Sequence, residues 1–496
     1  MPGFFPWWVI VTHFLNMFFL LLLARSGLEV LSAFPKLYWR DDCAPGREWI
    51  RFSPKVVSAD SRRLWSSLEE EVAWSPVVAL PGKKNLGLGR HWHFMSVQFW
   101  ILTGVVYVTL VFATGYWHYL VPTSWSIIPD SISSVGTYLH FQIPPPIAGE
   151  PFEPAQKLVY FLVIFVLAPF QILTGAAMSP TVLARFPWYG KLFGGKQGAR
   201  SLHFLGLVGF GAFVIVHVFM VVIHGLPKEF GAMVLGGYGR NRTLALALGM
   251  LGLFLILVFH VVITWFSLRY RRRTQRLLGL MVNPFEGVIS RSLTSREHYS
   301  RNDISSFFRV NGYPPVGSDY EHLAAGGFDD YRLVVGGLVE QPVSLSLPQL
   351  RALGTSEQVT KHNCIQGWTA IAEWGGVPLA RIVELVRPDP KAKYVVFYAF
   401  DDKGVTEGEG RYGFFYGSIP LYLADNPQTI LALDMNDAPL PIEHGAPVRV
   451  RIETQLGFKM VKWVQAIEFV EDYRDIGQGQ GGWREDQQYY ANAAGI

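Results

Sequence analysis

The chain has 496 residues, half of them hydrophobic and 15% aromatic, with a formal net charge of +4 and only 2 cysteines. So few cysteines exclude a disulfide-built secreted scaffold, and a charge this close to balance gives no sign of a nucleic-acid partner. The length allows several domains, so the informative question is where the apolar residues gather.

They gather in the first half. Five stretches, residues 7–24, 94–116, 158–178, 202–223 and 244–268, reach the roughly 20 residues needed to cross a hydrocarbon core of about 30 Å. The first lacks a basic leader and a small-residue cleavage site, and reads as a retained helix rather than a signal peptide. After "RYRRRTQR", residues 269–276, the character changes. From about residue 300, short runs such as "YRLVVGGLV", "AKYVVFYAF" and "PVRVRIE" alternate with turn clusters such as "NGYPP", "DDKG" and "MNDAPLP". That alternation predicts an α+β domain dominated by strands. The expected organisation is an α-helical transmembrane bundle over 1–270, a basic linker over 271–300, the strand-rich domain over 301–475 and a tail over 476–496. "GQGQGGW" in the tail opens no helix and reads as a flexible segment rather than a phosphate cradle.

An imidazole inside a span is costly to leave unpaired. His13 lies near the start of the first span, His91 and His93 at the start of the second, and His203 and His217 on the fourth. The last two are 14 residues apart. That is a rise of about 21 Å and close to four turns, so they share a face at two depths. With antiparallel helices, His93 falls opposite His203 and His13 opposite His217. Two axial imidazoles per iron is a ligation used by electron-transferring haems. Histidines bonded instead to Ser, Thr or carbonyls between helices would have no reason to match in depth.

"VTHFLNMFFLLLLARSGL", "GRHWHFMSVQFW" and "RSLHFLGLVGFGAFVIVHVFMV" resemble the di-haem cytochrome b subunits of formate dehydrogenases and nickel-iron hydrogenases, over most of residues 8–225. The resemblance implies that His13, His93, His203 and His217 are the axial ligands of two haems b, with His91 a rival to His93. His118, His224 and His260 match nothing in that pattern and read as interfacial or packing residues. The fifth helix departs from the four-helix pattern and reads as a connector.

A free cysteine is most often a small buried hydrophobe. Cys43 and Cys364 lie in stretches of different character, so no bridge between them is expected. Around Cys364, however, "RNDISSFFRVNGYPP", "YRLVVGGLVEQPVSLSLPQLRAL", "HNCIQGWTAIAEWGGVPL", "MNDAPLPIEHGAPVRVRIE" and "QLGFKMVKWVQAIEFVEDY" follow in order. Together they resemble the sulfite oxidase family of molybdopterin enzymes over about 295–475. The bacterial branch of that family includes the catalytic subunit of a protein methionine sulfoxide reductase. The resemblance implies a sulfite-oxidase-type fold with Cys364 as the protein ligand to molybdenum. It places His444 and Arg449 of "HGAPVR", and Lys462 with the amides of Met460 and Val461 of "FKMVKW", against the molybdopterin. Phe308 and Arg309 are expected to form another wall of the cleft. Arginine offers a fork of donors to a phosphate and lysine a point charge. Ala399 stands where some relatives have a threonine near the cofactor. "IQGWTAIAEW", after Cys364, contains no cation, so sulfite is not inferred as substrate; Trp368 and Trp374 are candidates for an apolar entrance and His362 for a donor at the metal.

The fusion predicts a membrane-bound molybdenum oxidoreductase that joins a two-electron site to one-electron haems, acting on a small oxo-transfer substrate. A quinone is the exchange partner the resemblance implies. The same parts run in reverse would make a quinol-fed S-oxide or N-oxide reductase. A different class is a non-catalytic membrane sensor or scaffold. Lys and Arg number 15 in loops 25–90 and 179–202 against 4 in 119–157 and 225–242. The positive-inside rule then puts the second half in the cytoplasm of a prokaryotic inner membrane; the cytochrome relatives imply the periplasm.

Overall fold

The computed structural model describes residues 5–55, 65–145, 147, 149–237, 241–290, 295–403 and 413–492, with the side chains of 285–290 left aside. The chain forms two compact units that interleave in sequence: residues 1–27, 92–176 and 202–270 make one, and residues 28–91, 177–201 and 271–496 the other. The first, second and fourth apolar helices therefore each begin or end in the second unit.

Among the described residues, five helices are long and apolar enough to cross a membrane: Trp7–Ala33, Leu86–Ala113, Pro154–Ala176, Gly195–His224 and Arg242–Arg269. They bear out the expected helical half. Several run past the apolar windows because helix-compatible residues continue at their ends, as "RSGLEVLSA" does after Ala24. Their outward faces are apolar, with Ile215 72% and Leu257 62% exposed, which suits lipid rather than water. The third contains a π-helical turn, Leu162–Leu167, and starts at a capping box formed by Glu153 and Gln156. Some polar groups inside the bundle are paired across helices. Arg25 of the first helix reaches His260 Nδ1 at 2.9 Å and Thr264 Oγ1 at 2.8 Å on the fifth. The fifth helix thus satisfies an intramembrane cation as well as connecting the two halves.

The second unit is mostly β, as expected. A two-stranded ladder, β1 (Lys36–Leu37) with β2 (Ile50–Arg51), lies in the segment between the first two spans. The rest comprises β3 (Leu333–Gly337), β4 (Val343–Leu345), β5 (Ser356–Asn363), β6 (Thr369–Pro378), β7 (Tyr394–Asp402), β8 (Phe414–Pro420), β9 (Thr429–Met435), β10 (Ala438–Pro439), β11 (Arg449–Ile452) and β12 (Val464–Val470). One sheet has the order β10–β9–β6–β5, with β11 also on β9; the other runs β4–β3–β12–β7–β8. Leu333, Val395, Phe397, Ile467 and Phe469 of one sheet meet Val377, Leu431, Val450 and Ile452 of the other in one buried core. β5 and β6 pair antiparallel from Ser356↔Gly376 to Asn363↔Thr369, which leaves residues 364–368 as the tip of a hairpin.

Segments outside the strands are built into this unit. Ser67 N–H donates to Val310 O at 2.8 Å and Gly312 N–H to Ser66 Oγ at 2.9 Å. Glu70 is fully buried between Lys36 and Arg309, with its Oε2 accepting from Arg309 Nε at 3.0 Å. The "GQGQGGW" stretch is ordered rather than free. Gly477, Gly479 and Gly481 take positive φ, and the loop they turn gives the Asp486 carboxylate two amide donors, Gln478 N at 3.0 Å and Gln480 N at 3.1 Å. The glycines are there to wrap the chain around its own carboxylate. The basic run likewise folds: Arg272 donates to the carbonyls of Glu485 and Asp486.

Glu70→Gln should leave Lys36 and Arg309 buried without a counter-charge, a change that costs about 3–5 kcal/mol. A clear drop in the thermal transition of the detergent-solubilised protein is expected; an unchanged transition would show that the pair adds nothing to stability.

Candidate molybdenum and haem sites

Three backbone features assemble the site around Cys364. The hairpin tip closes through Cys364 N–H to Trp368 O and Gly367 N–H to Cys364 O, both 3.0 Å, with Gly367 at φ +117°. This places the thiol in a buried cluster with Phe34, Tyr38, Cys43, Trp368 and Ala370. Both cysteines are free, as expected. The pairing of β11 with β9 puts Arg449 and Arg451, two residues apart and so on one face, inside the protein. The turn at Gly445, φ +118°, brings Arg449 and Lys462 so close that a Cβ there would meet Lys462 Cβ at 2.9 Å and Arg449 Cβ at 3.2 Å.

Phe308 stands at the centre of an aromatic box, its ring 5.3 Å from His444, 5.4 Å from His362, 5.6 Å from Trp374 and 6.0 Å from Trp368. Arg451 and Arg449 lie over the Trp374 ring at 4.5 and 5.1 Å. Arg451 also reaches His362 Nδ1 at 2.9 Å, Thr360 Oγ1 at 3.1 Å and Glu453 at 3.3 Å. Lys462 donates to Glu443 O at 2.9 Å. The structure therefore gathers Phe308, His362, Cys364, Trp368, Trp374, His444, Arg449 and Lys462 in one unit of the fold.

Two of the expected contributions differ. Arg309 directs its guanidinium to Glu70, to Cys43 O and to the Tyr38 hydroxyl at 3.1 Å, and so ties the segment between the first two spans to the β domain. The amides of Met460 and Val461 are occupied within their own turn, by Gly457 O and Lys459 O at 3.1 Å each, because the 3-10 turn Gly457–Lys459 closes on them. Met460 faces the cluster through its sulfur, which accepts from Arg451 at 2.7 Å.

The electrostatics of this cluster are unbalanced. Burial pushes the Cys364 thiol up to about 12, opposed by the Gln366 amide and by the charges of Lys196 and Arg484. Burial also lowers Arg449 to about 9, with Arg451 adding to the fall, and lowers His444 to about 3 together with Arg449 and Lys462. Lys462 is held well below its usual range by burial and by Arg449. Among the described residues, the Nε donors of Arg449 and Arg451 and the indole N–H of Trp374 are buried without an acceptor. Buried donors without acceptors and cations that disfavour one another fit an anionic, hydrogen-bond-accepting group of phosphate or pterin type. A soft or high-valent metal would hold the Cys364 sulfur as thiolate in spite of burial. The residues present fit a molybdopterin.

The helical unit contains two histidine pairs. The His93 and His203 rings have centroids 6.4 Å apart, and those of His13 and His217 are 6.2 Å apart. Two imidazoles on opposite sides of one metal, with metal–nitrogen bonds of about 2 Å and about 1.2 Å more to each ring centre, have centroids about 6 Å apart. The first pair also has its tautomers set. Ser26 Oγ gives its proton to Leu22 O at 2.7 Å and lies 3.1 Å from His93 Nδ1; Thr174 Oγ1 gives its proton to Phe170 O at 2.9 Å and lies 3.1 Å from His203 Nδ1. A hydroxyl that has donated its only proton must accept from the ring, so Nδ1 carries the hydrogen and the lone pair is at Nε2. A glycine follows each hydroxyl: a Cβ on Gly27 would lie 3.5 Å from His93 Cε1, and one on Gly175 3.4 Å from His203 Cε1. The Ser-Gly and Thr-Gly dipeptides were a readable signal that the histidine spacing alone did not supply. His91 instead directs Nδ1 to Gly87 O at 2.7 Å. Around the second pair, Phe213 stacks on His217 at 5.4 Å, and His13 Nδ1 is buried without a partner.

Comparison with known proteins agrees with both halves. Residues 5–236 match the family described as prokaryotic cytochrome b561, and residues 322–476 the family described as oxidoreductase molybdopterin binding domain. The cytochrome match ends before the fifth helix. Over 192 residues the chain is 38% identical to protein-methionine-sulfoxide reductase subunit YedZ1 of Azospira oryzae, covering 38% of this chain and 64% of the relative. Over 187 residues it is 35% identical to the protein-methionine-sulfoxide reductase catalytic subunit MsrP of Xanthomonas axonopodis pv. citri, covering 36% of this chain and 57% of the relative. The chain thus spans somewhat under two thirds of the length of each curated relative. The expected resemblances are borne out: within one chain, a region that matches the prokaryotic cytochrome b561 model is followed by one that matches the oxidoreductase molybdopterin binding domain model.

Proposed function

We propose that the chain is a membrane-bound molybdenum-cofactor oxidoreductase in which Cys364 ligates the metal and His93/His203 and His13/His217 hold two b-type haems. The observation that carries this reading is the presence, in one chain, of a buried thiol with uncompensated cations and of two imidazole pairs at metal-bridging separation. When bound, the molybdenum group supplies two-electron oxygen-atom transfer, and each haem carries one electron. Arg449 and Lys462 hold the cofactor's anionic groups, and Arg451 orients His362, which burial and the neighbouring arginines keep neutral. Membrane quinone is the exchange partner at the haem end.

The direction favoured is reduction of an S-oxide by quinol. Trp368 and Trp374 are fully buried and pack on Phe308 rather than forming an open entrance, so this direction rests on the relatives rather than on an aromatic wall. The names of the two relatives agree with that substrate class. The balance is a sulfoxide plus two electrons and two protons giving a thioether plus water; one quinol supplies the two electrons through the haems and releases two protons where it is oxidised, and two protons are taken up from water at the molybdenum site.

Cys364→Ser should abolish turnover with a methionine sulfoxide substrate while leaving the haem absorption intact, measured as reoxidation of dithionite-reduced haem; retained turnover would remove Cys364 from the metal. Reoxidation by an N-oxide or reduction by sulfite, without a response to sulfoxide, would reverse the substrate assignment. His203→Ala and His217→Ala should each remove one of two haems that titrate at different potentials; a His217→Ala protein that retained both would place that ligand elsewhere.

A further inference from the structure

The hairpin tip that carries Cys364 is gripped by the first turn of the fourth apolar helix, Gly195–His224. Lys196 Nζ donates to Asn363 Oδ1 at 3.1 Å, and Gln197 Nε2 donates to Gly367 O at 2.8 Å and to Thr369 Oγ1 at 3.1 Å. The Arg200 guanidinium carbon lies 3.5 Å from where a Cβ on Gly367 would stand. Arg200 itself is fixed by Phe34 O at 2.5 Å and Lys36 O at 2.6 Å, and Gln197 N–H by Asp41 Oδ1 at 2.8 Å. On its other side the tip is held by Gln366, whose amide bridges Ser67 and Glu71. Residues 196, 197 and 200 occupy one face of one helical turn, so a single rigid element sets both ends of the metal-binding loop.

Lys196 differs from Gln197 in carrying a charge, and from the half-buried Arg200, which bonds two carbonyls outside the loop, in being buried, 6% exposed, with its hydrogen bond on Asn363 next to Cys364. The ten residues that follow Cys364 contain no Lys or Arg. The loop therefore receives its cation from outside its own sequence. A metal site built of a thiolate, a dithiolene and oxygen ligands concentrates negative charge, and a fixed ammonium in the same low-dielectric surroundings stabilises the electron-rich state.

We propose that Lys196 is a positioning residue of the molybdenum site, a cation set beside the Asn363–Cys364 segment by the same helix that bears His203 and His217. This rests on the reading of Cys364 as the metal ligand. Its function is to orient the ligand loop through Asn363 and to favour reduction of the centre through its charge.

The test is a redox titration of the full-length enzyme, following the Mo(V) resonance, with metal content and haem absorption recorded alongside. Lys196→Met is expected to shift the molybdenum midpoint to more negative potential and alter the Mo(V) spectrum, with the haem absorption unchanged. Lys196→Arg should restore the potential towards that of the wild type. Gln197→Leu removes bonds to the same loop without changing charge, and should perturb the spectrum while leaving the potential in place. If Lys196→Met does not accumulate, Lys196→Gln, which keeps a donor for Asn363 and removes the charge, carries the same measurement. A wild-type potential and spectrum in the charge-free variant would overturn the proposal, as would equal potential shifts in the Lys196 and Gln197 variants. Cys364→Ser separates the two readings: if it keeps the wild-type Mo(V) signal, the ligand assignment has failed, whatever Lys196 does.

Discussion

Buried positive charge without matching carboxylates is the constraint on which the second unit depends. Arg449 and Arg451 are buried beside the half-buried Lys462, and among the described residues Arg451 alone of the three has an ion-pair partner, Glu453 at 3.3 Å. Burial raises that carboxyl to about 7, against the pull of Arg451. A fold selected only for stability would replace such a group with apolar side chains, because desolvating unpaired ions costs several kcal/mol each. The arrangement is stable in a different sense. An anionic cofactor that enters it takes up donors that have no acceptor, so binding energy and folding energy are one quantity.

The same logic separates structural ions from functional ones. Lys36, Glu70 and Arg309 form a closed group with hydrogen bonds on both sides of the carboxylate. Lys361 sits between Asp41 at 3.5 Å and Glu297 at 2.7 Å. These cations are matched and tie distant segments together. Arg449 and Lys462, by contrast, form no ion pair among the described residues, and that contrast within one unit supports the proposed binding region. In the helices the equivalent contrast is between His260, engaged by Arg25, and the four histidines that face one another in pairs.

Much of this was legible in the sequence because it rests on periodicity or on short motifs. Apolar runs of membrane length announced the five helices. The 14-residue spacing of His203 and His217 announced two depths. The alternation of short strand-like runs with turn clusters announced a strand-rich domain around Cys364, and the resemblance of "HGAPVR" singled out His444 and Arg449. What the sequence did not disclose were contacts between residues far apart along the chain. Glu70 and Arg309 are 239 positions apart, and Lys196 and Asn363 are 167 apart. No local pattern encodes such a pairing. The count of basic residues had the same blind spot. Lys36, Lys196 and Arg200 entered it as topology signals, yet all three are hydrogen-bonded inside the second unit, so part of the excess reflects packing rather than membrane orientation. The "GQGQGGW" glycines were misjudged because a loop that wraps its own carboxylate has the composition of a flexible one.

X-ray absorption at the molybdenum edge of the purified enzyme tests the central claim most directly. The account predicts a metal bound by the two sulfurs of a dithiolene and a third from the protein, with the third lost in the Cys364→Ser protein while the cofactor remains. A molybdenum without a protein sulfur in the wild type, or one whose sulfur count is the same after the substitution, would contradict it.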